Sequence, residues 1–163
     1  MEIPISAKTS RPAVVESILS RNFLLLLTGS FGFYTSMWLI LTFLPSYVAN
    51  LGGSESEIGL VLSAFAFTAL LARPIIGRLV DSLGRKGVAV AGCVIFAIAP
   101  ILYGASSAVP VLIAIRMFHG LGIALFGTAG MTWVADMVPA TRRAEAMGLY
   151  SNASQVAIAI AAA

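Results

Sequence analysis

The chain has 163 residues, 59% of them apolar and only 10% Asp, Glu, Lys or Arg, and its mean hydropathy is +0.96. A soluble fold of this size still exposes about a third of its unfolded-chain surface, and soluble domains carry about 25% charged residues to wet it. That excludes a soluble enzyme, a disordered tail and a secreted disulfide scaffold; the lone Cys93 allows no disulfide framework or cysteine metal site, and the remaining solvent is lipid.

Residues 1–21 read as an N-terminal segment outside the membrane, with Lys8, Arg11 and Arg21. Phe23 to Val48 then runs 26 residues without a charge, more than the roughly 20 needed to cross a bilayer core and too long for a signal-peptide apolar region. After Gly52 and Gly53, Ser54 with Glu57 three residues on forms a capping-box pattern, so a second span starts there and runs over 57–80. Arg73, near the far end of that span, can send its charge along its stem to the interface. A third span covers 88–104 and is punctuated by Pro100. Pro110 suits the first turn of a fourth, over 110–138, which Pro139 can end. A fifth apolar segment covers 146–163 without a charged flank or cap, so the sequence is expected to be an incomplete piece that stops inside a helix. The fold class is an all-α membrane bundle with five transmembrane helices over 22–163.

Orientation follows from the basic residues, because short cytoplasmic loops are enriched in Lys and Arg. Nine of the ten lie in alternate connections: Lys8, Arg11 and Arg21; Arg73, Arg78, Arg85 and Lys86; Arg142 and Arg143. The opposite loops hold none and carry Glu55 and Glu57. The N-terminus is therefore expected in the cytoplasm and the chain in the plasma (inner) membrane. The net charge of +3 does not point to nucleic acid, since the basic residues follow the membrane rather than one wet face.

The turn Gly77-Arg78-Leu79-Val80-Asp81-Ser82-Leu83-Gly84-Arg85-Lys86 carries the most information. Read alone, Gly77 would let a neighbouring helix approach closely, Gly84 would permit the reversal into the next helix, and Asp81 at the membrane edge needs a partner that Arg85 is near enough to supply. The pattern resembles the signature loop between the second and third helices of the major facilitator superfamily. Its five matching positions should arise by chance on the order of once per million starts. The order of elements is similar to that family from about Arg21 onward, and the overall look resembles bacterial efflux-type permeases. The resemblance implies one half of a secondary transporter, built of six helices as inverted three-helix repeats, with the substrate site at the midplane between halves. It further implies that Asp81 meets the missing C-terminal half to latch the outward-open state and that Asp136 joins the Asp–Arg cluster. Ser82 departs from the usual basic residue. The alternative is that Asp81, Arg85 and Lys86 form only a solvated turn.

Arg116 lies roughly 10 Å down its helix from Pro110, where a guanidinium must face protein or water, or else snorkel to the outer interface. With Gly120 and Gly122 it resembles the family's helix-four pattern, which implies a cavity-lining arginine associated with proton coupling. His119 shares its face, and an ordinary histidine pKa near 6.5 suits proton exchange, while a hydrogen bond to a neighbouring helix is the other reading. Gly120, Ala124 and Thr128 at four-residue spacing make a close-packing stripe. In the fifth segment Gly148, Ser151, Asn152 and Gln155 form a small, polar face toward helices or a cavity. Tyr34, Thr35 and Trp38 either line a substrate path or pack. The fifth segment lacks the Gly-Pro motif of drug–proton antiporters, and the first lacks an embedded carboxylate.

No second histidine, paired intramembrane carboxylate or phosphate loop is present, so neither an enzyme nor a cofactor or metal is expected. The function that follows is efflux of small organic molecules by alternating access, with the bilayer, a small-molecule substrate and protons as partners. A sugar or metabolite uptake permease, a non-transporting membrane scaffold subunit, and a half-transporter pairing with a second copy are the alternatives.

Overall fold

The computed structural model describes residues 18–162; the N-terminal expectations, with Lys8 and Arg11, fall almost wholly outside them. Among the described residues there are five α-helices and no strand: α1 Arg21–Asn50, α2 Glu55–Leu83, α3 Arg85–Gly104, α4 Val109–Asp136 and α5 Arg143–Ala162, with one 3-10 turn at Ala140–Arg142 before α5. The chain is an all-α membrane bundle. Helices α1 to α4 are each long and apolar enough to cross a membrane. Helix α5, with Arg143, Glu145, Asn152 and Gln155 in its 20 described residues, is more polar and is not among those four.

Local chemistry sets the boundaries. The Ser54 hydroxyl accepts from the Glu57 N–H, and Glu57 Oε2 accepts from the Ser54 N–H at 2.8 Å, which completes the capping box and starts α2. Ser20 caps α1 by accepting from the Phe23 N–H at 3.2 Å. Gly84, at φ +83°, turns the chain from α2 into α3 in a single residue, a conformation that a Cβ would strain. Pro110 occupies the first turn of α4, and Pro139 follows the end of α4 at Asp136. Pro100 does not break α3, which continues to Gly104. The 29 residues of α2 rise about 43 Å, well beyond a hydrocarbon core of about 30 Å, so the turn with Arg78 and Asp81 stands clear of it.

Lipid tails are as apolar as leucine, so burial of apolar area does not hold such helices together; close complementary packing does. Helix α4 is the hub, packed on α2 and α3, while α1 packs on α5. A Cβ at Gly120 would meet the Phe65 carbonyl oxygen of α2 at 2.5 Å, and one at Gly92 would meet the Gly122 carbonyl of α4 at 2.8 Å. These two glycine contacts let α4 approach two neighbours at once. The interior is layered along the bundle. Phe23, Leu26, Val134, Ala146 and Tyr150 pack at the end bearing most of the basic residues. Phe33, Phe96, Ala124, Phe126 and Ala129 fill the middle, and Leu44, Val61, Tyr103 and Leu112 fill the opposite end. Leu60, Phe67, Leu70, Leu71 and Ile75 leave one side of α2 apolar and exposed, as suits a helix bathed in lipid or covered by more protein.

Candidate functional site

Helix α4 is apolar nearly all round and sits deepest in the bundle, so the two ionisable side chains of its interior turns, Arg116 and His119, have nowhere to go but inward, whereas Asp136 closes its end. Arg116 is 1% exposed and His119 0%. The arginine does not snorkel to the interface. Its Nε donates to the Val61 carbonyl of α2 at 3.4 Å, and its guanidinium carbon lies 4.4 Å from the centre of the Phe65 ring. Nη1 has no partner among the described residues. The guanidinium is thus enclosed between α2 and α4 rather than lining an open cavity of this chain.

His119 stands one turn further along α4. Its Nδ1 lies 3.1 Å from the Tyr103 hydroxyl of α3, and its Nε2 has no partner among the described residues. The Phe96 ring lies 4.1 Å from the imidazole and Phe65 meets it edge-on at 5.4 Å. Phe65 therefore serves two masters, facing the guanidinium with one part of its π-system and the imidazole with another. The result is a polar cluster of Arg116, His119 and Tyr103 walled by aromatic rings from α2 and α3. No carboxylate joins it. Among the described residues the acidic side chains sit at the helix ends, with Glu55 and Glu57 at one and Asp81, Asp136 and Glu145 at the other.

The basic end carries a second arrangement. Arg85 Nε and Asp136 Oδ2 approach to 2.7 Å, joining the first residue of α3 to the last of α4. Each charge opposes its own helix dipole, at a cost of roughly 0.3–1 kcal/mol, and the pairing offsets both. The contact is a charge pairing more than a directed hydrogen bond, since the Arg85 Nε–H is not aimed along the acceptor. Arg85 is thereby committed to Asp136, not to Asp81, which is exposed and makes no ion pair with the described residues. A Cβ at Gly77 would meet nothing within 4 Å, so no described helix makes the close approach expected there. Lys86 is exposed and borders a cleft of about 470 Å³ between α1, α3 and α4, with Asn22, Cys93 and Trp133. Arg143 Nε donates to the Ala135 carbonyl at 3.1 Å and caps the end of α4.

The other candidates are dispersed. Tyr34 is half-buried against Phe33 and Phe126, and the Thr35 hydroxyl turns back to the Phe31 carbonyl at 2.8 Å. Trp38 Nε1 is buried and unpartnered among the described residues. Asn152 and Gln155 are exposed on α5, away from the Arg116 cluster. Of the packing stripe, Gly120 and Ala124 are buried, whereas Thr128 is only partly so. The stripe also omits Gly122, which with Gly92 makes the close approach to α3.

Sequence reasoning missed Tyr103 and Phe65. A signal existed for Tyr103, the only hydroxyl side chain in α3, because a buried tyrosine O–H seeks a partner. Phe65 carried none, being one apolar side chain among many. It also missed the contact of Tyr150 with Ser30, 2.9 Å apart across α5 and α1, where the Tyr150 hydroxyl also presses on Gly130 of α4. Among the described residues no group of three or more His, Cys, Asp or Glu side chains gathers to hold a metal ion.

Residues 26–163 match the sequence model of the Major Facilitator Superfamily. Multidrug resistance protein 2 of Bacillus subtilis (strain 168) is 31% identical over 131 residues, covering 80% of this chain and 33% of that protein. Multidrug resistance protein 1 of the same bacterium is 31% identical over 129 residues, 79% of this chain and 33% of its own length. Quinolone resistance protein NorA of Staphylococcus aureus is 27% identical over 135 residues, 82% of this chain and 34% of its length. The chain spans about a third of the length of these curated relatives.

Proposed function

This chain belongs to the major facilitator superfamily, and on that premise we propose that it forms part of a secondary transporter carrying small organic molecules out of the cell by alternating access. The observation that carries the reading is the buried Arg116 in an apolar bundle that, among the described residues, offers it no carboxylate. Such a group is expensive to hold in a membrane and marks an ion or substrate pathway. The relatives are named for resistance to drugs and to quinolones, an outcome that export of such molecules from the cell would produce.

Arg116 sets the charge of the site and disfavours a proton and a cationic substrate alike. At an effective dielectric of about 20, two cations about 10 Å apart repel by about 1.7 kcal/mol, roughly a fifteenfold effect on occupancy. A proton and a cationic substrate held that close to each other would compete by that amount, the competition that antiport requires. The N-terminus and the turn with Arg85 and Lys86 lie on the cytoplasmic side, because nine basic residues gather there. Gly77, Asp81, Gly84, Arg85, Lys86 and Asp136 make the conformational latch. Asp81 is left free of Arg85 and is available to the remainder of the transporter. Tyr34, Asn152 and Gln155 face that remainder across the substrate path, while Gly120, Ala124 and Thr128 keep α4 close to α2. The packing of α2 on α4 and of α1 on α5 supports an inverted repeat, since the two pairs exchange under a two-fold relating α1–α3 to the helices that begin with α4.

The test is accumulation of a fluorescent quinolone in cells lacking their own exporters. Expression of the full-length protein should lower the steady-state level several-fold, and Arg116→Ala should restore it. An unchanged level despite membrane expression refutes the export reading.

A further inference from the structure

The Arg116 hydrogen bond to the Val61 carbonyl is long at 3.4 Å, and Nη1 is unpartnered among the described residues. The guanidinium also lies over the Phe65 ring, and Phe65 in turn meets His119 edge-on. His119 is fixed by the Tyr103 hydroxyl at 3.1 Å. Tyr103 is anchored by its backbone, because its carbonyl accepts from the Tyr47 hydroxyl of α1 at 3.1 Å, shared with the Ser106 carbonyl at 2.8 Å. A chain of contacts thus runs from α1 through α3 to the Arg116 cluster.

We infer that Tyr103 and His119 act as a neutral hydrogen-bonded pair that positions the Arg116 guanidinium, so that His119 orients the coupling site instead of carrying the transported proton. The charged and titratable groups facing His119 decide this. Helix α3 supplies Tyr103 and α4 supplies Arg116, whereas α2 supplies only Phe65 and the Val61 carbonyl. Arg116, one helical turn away, is the charged member of the cluster, and among the described residues no carboxylate reaches it to balance a second cation. With the imidazole neutral, Nδ1 and the Tyr103 hydroxyl share one hydrogen bond, and the ring stays edge-on to Phe65 with no second positive charge.

This inference rests on the reading of Arg116 as the coupling residue, and the experiment separates the two. The full-length protein is reconstituted in proteoliposomes, and quinolone flux is measured against luminal pH for wild type, Tyr103→Phe, His119→Gln, His119→Leu and Arg116→Ala. Glutamine can accept from the tyrosine hydroxyl and carries no titratable proton. His119→Gln should therefore retain at least half of the flux with an unshifted pH profile. Tyr103→Phe and His119→Leu should lower the maximal rate roughly tenfold with little change in KM, since each strands a buried polar group beside Arg116. Loss of pH dependence in His119→Gln overturns the inference, as does wild-type behaviour in Tyr103→Phe. If His119→Leu does not accumulate, Tyr103→Phe, which removes one hydroxyl, carries the test alone. Should Arg116→Ala itself leave proton-driven flux unchanged, the coupling reading falls, and the inference with it.

Discussion

Gly120→Ala is the sharpest perturbation of the helix packing. The new methyl would lie 2.5 Å from the Phe65 carbonyl oxygen and 3.1 Å from the Thr68 Cβ, and the nearer atom is backbone that cannot swing aside. Overpacking of this kind costs about 1–3 kcal/mol, with a fixed backbone contact at the upper end, while replacing a helical glycine by alanine returns about 1 kcal/mol. The net expectation is a loss of about 2 kcal/mol. Gly148→Ala is the control, because a Cβ there meets nothing within 4 Å and only the propensity gain remains. Thermal unfolding of the full-length protein in detergent, followed by size-exclusion recovery after heating, should rank Gly120→Ala below wild type and Gly148→Ala at or above it. Equal stability of the two variants would refute the close approach of α4 to α2. Because Gly120 neighbours His119 and faces Phe65, the same change should also reduce transport.

Three further outcomes follow from other contacts. Tyr150→Phe leaves the fully buried Ser30 hydroxyl without its partner and should lower stability by about 1–3 kcal/mol, readable in the same heating assay. Ser54→Ala removes the capping box and should cost about 1 kcal/mol, with no change if α2 is held by packing alone. Asp136→Asn breaks a pair whose side chains are 36% and 45% exposed, so stability should move by less than about 1 kcal/mol. Cysteine accessibility from the two sides of the membrane should shift all the same, and the Arg85→Asp, Asp136→Arg exchange should restore it.

Much of the fold was legible because membranes impose blunt rules. Long uncharged runs, the Ser54–Glu57 box and Gly84 each act through one or two neighbouring residues, and the structure places a helix start or a reversal at each. The polar character of α5 was visible too, and a helix runs from Arg143 to Ala162 where the fifth segment is expected. Pairings between helices were the hard part. Arg85 lies four residues from Asp81 in sequence, yet it pairs with Asp136, 51 positions away, because α3 and α4 pack side by side and bring their charged ends together. The candidate site shows the same limit. Arg116 and His119 stand out in any apolar helix, whereas Phe65 and Tyr103, which give them their surroundings, come from two other helices whose approach depends on Gly120 and Gly92.

The most direct test of the central claim is quinolone uptake into proteoliposomes holding the purified full-length protein, with and without an acidic lumen. The account predicts uptake above that of protein-free vesicles only when the lumen is acid, abolished by collapsing the gradient and by Arg116→Ala. Uptake that matches protein-free vesicles under an acid-inside gradient would contradict it.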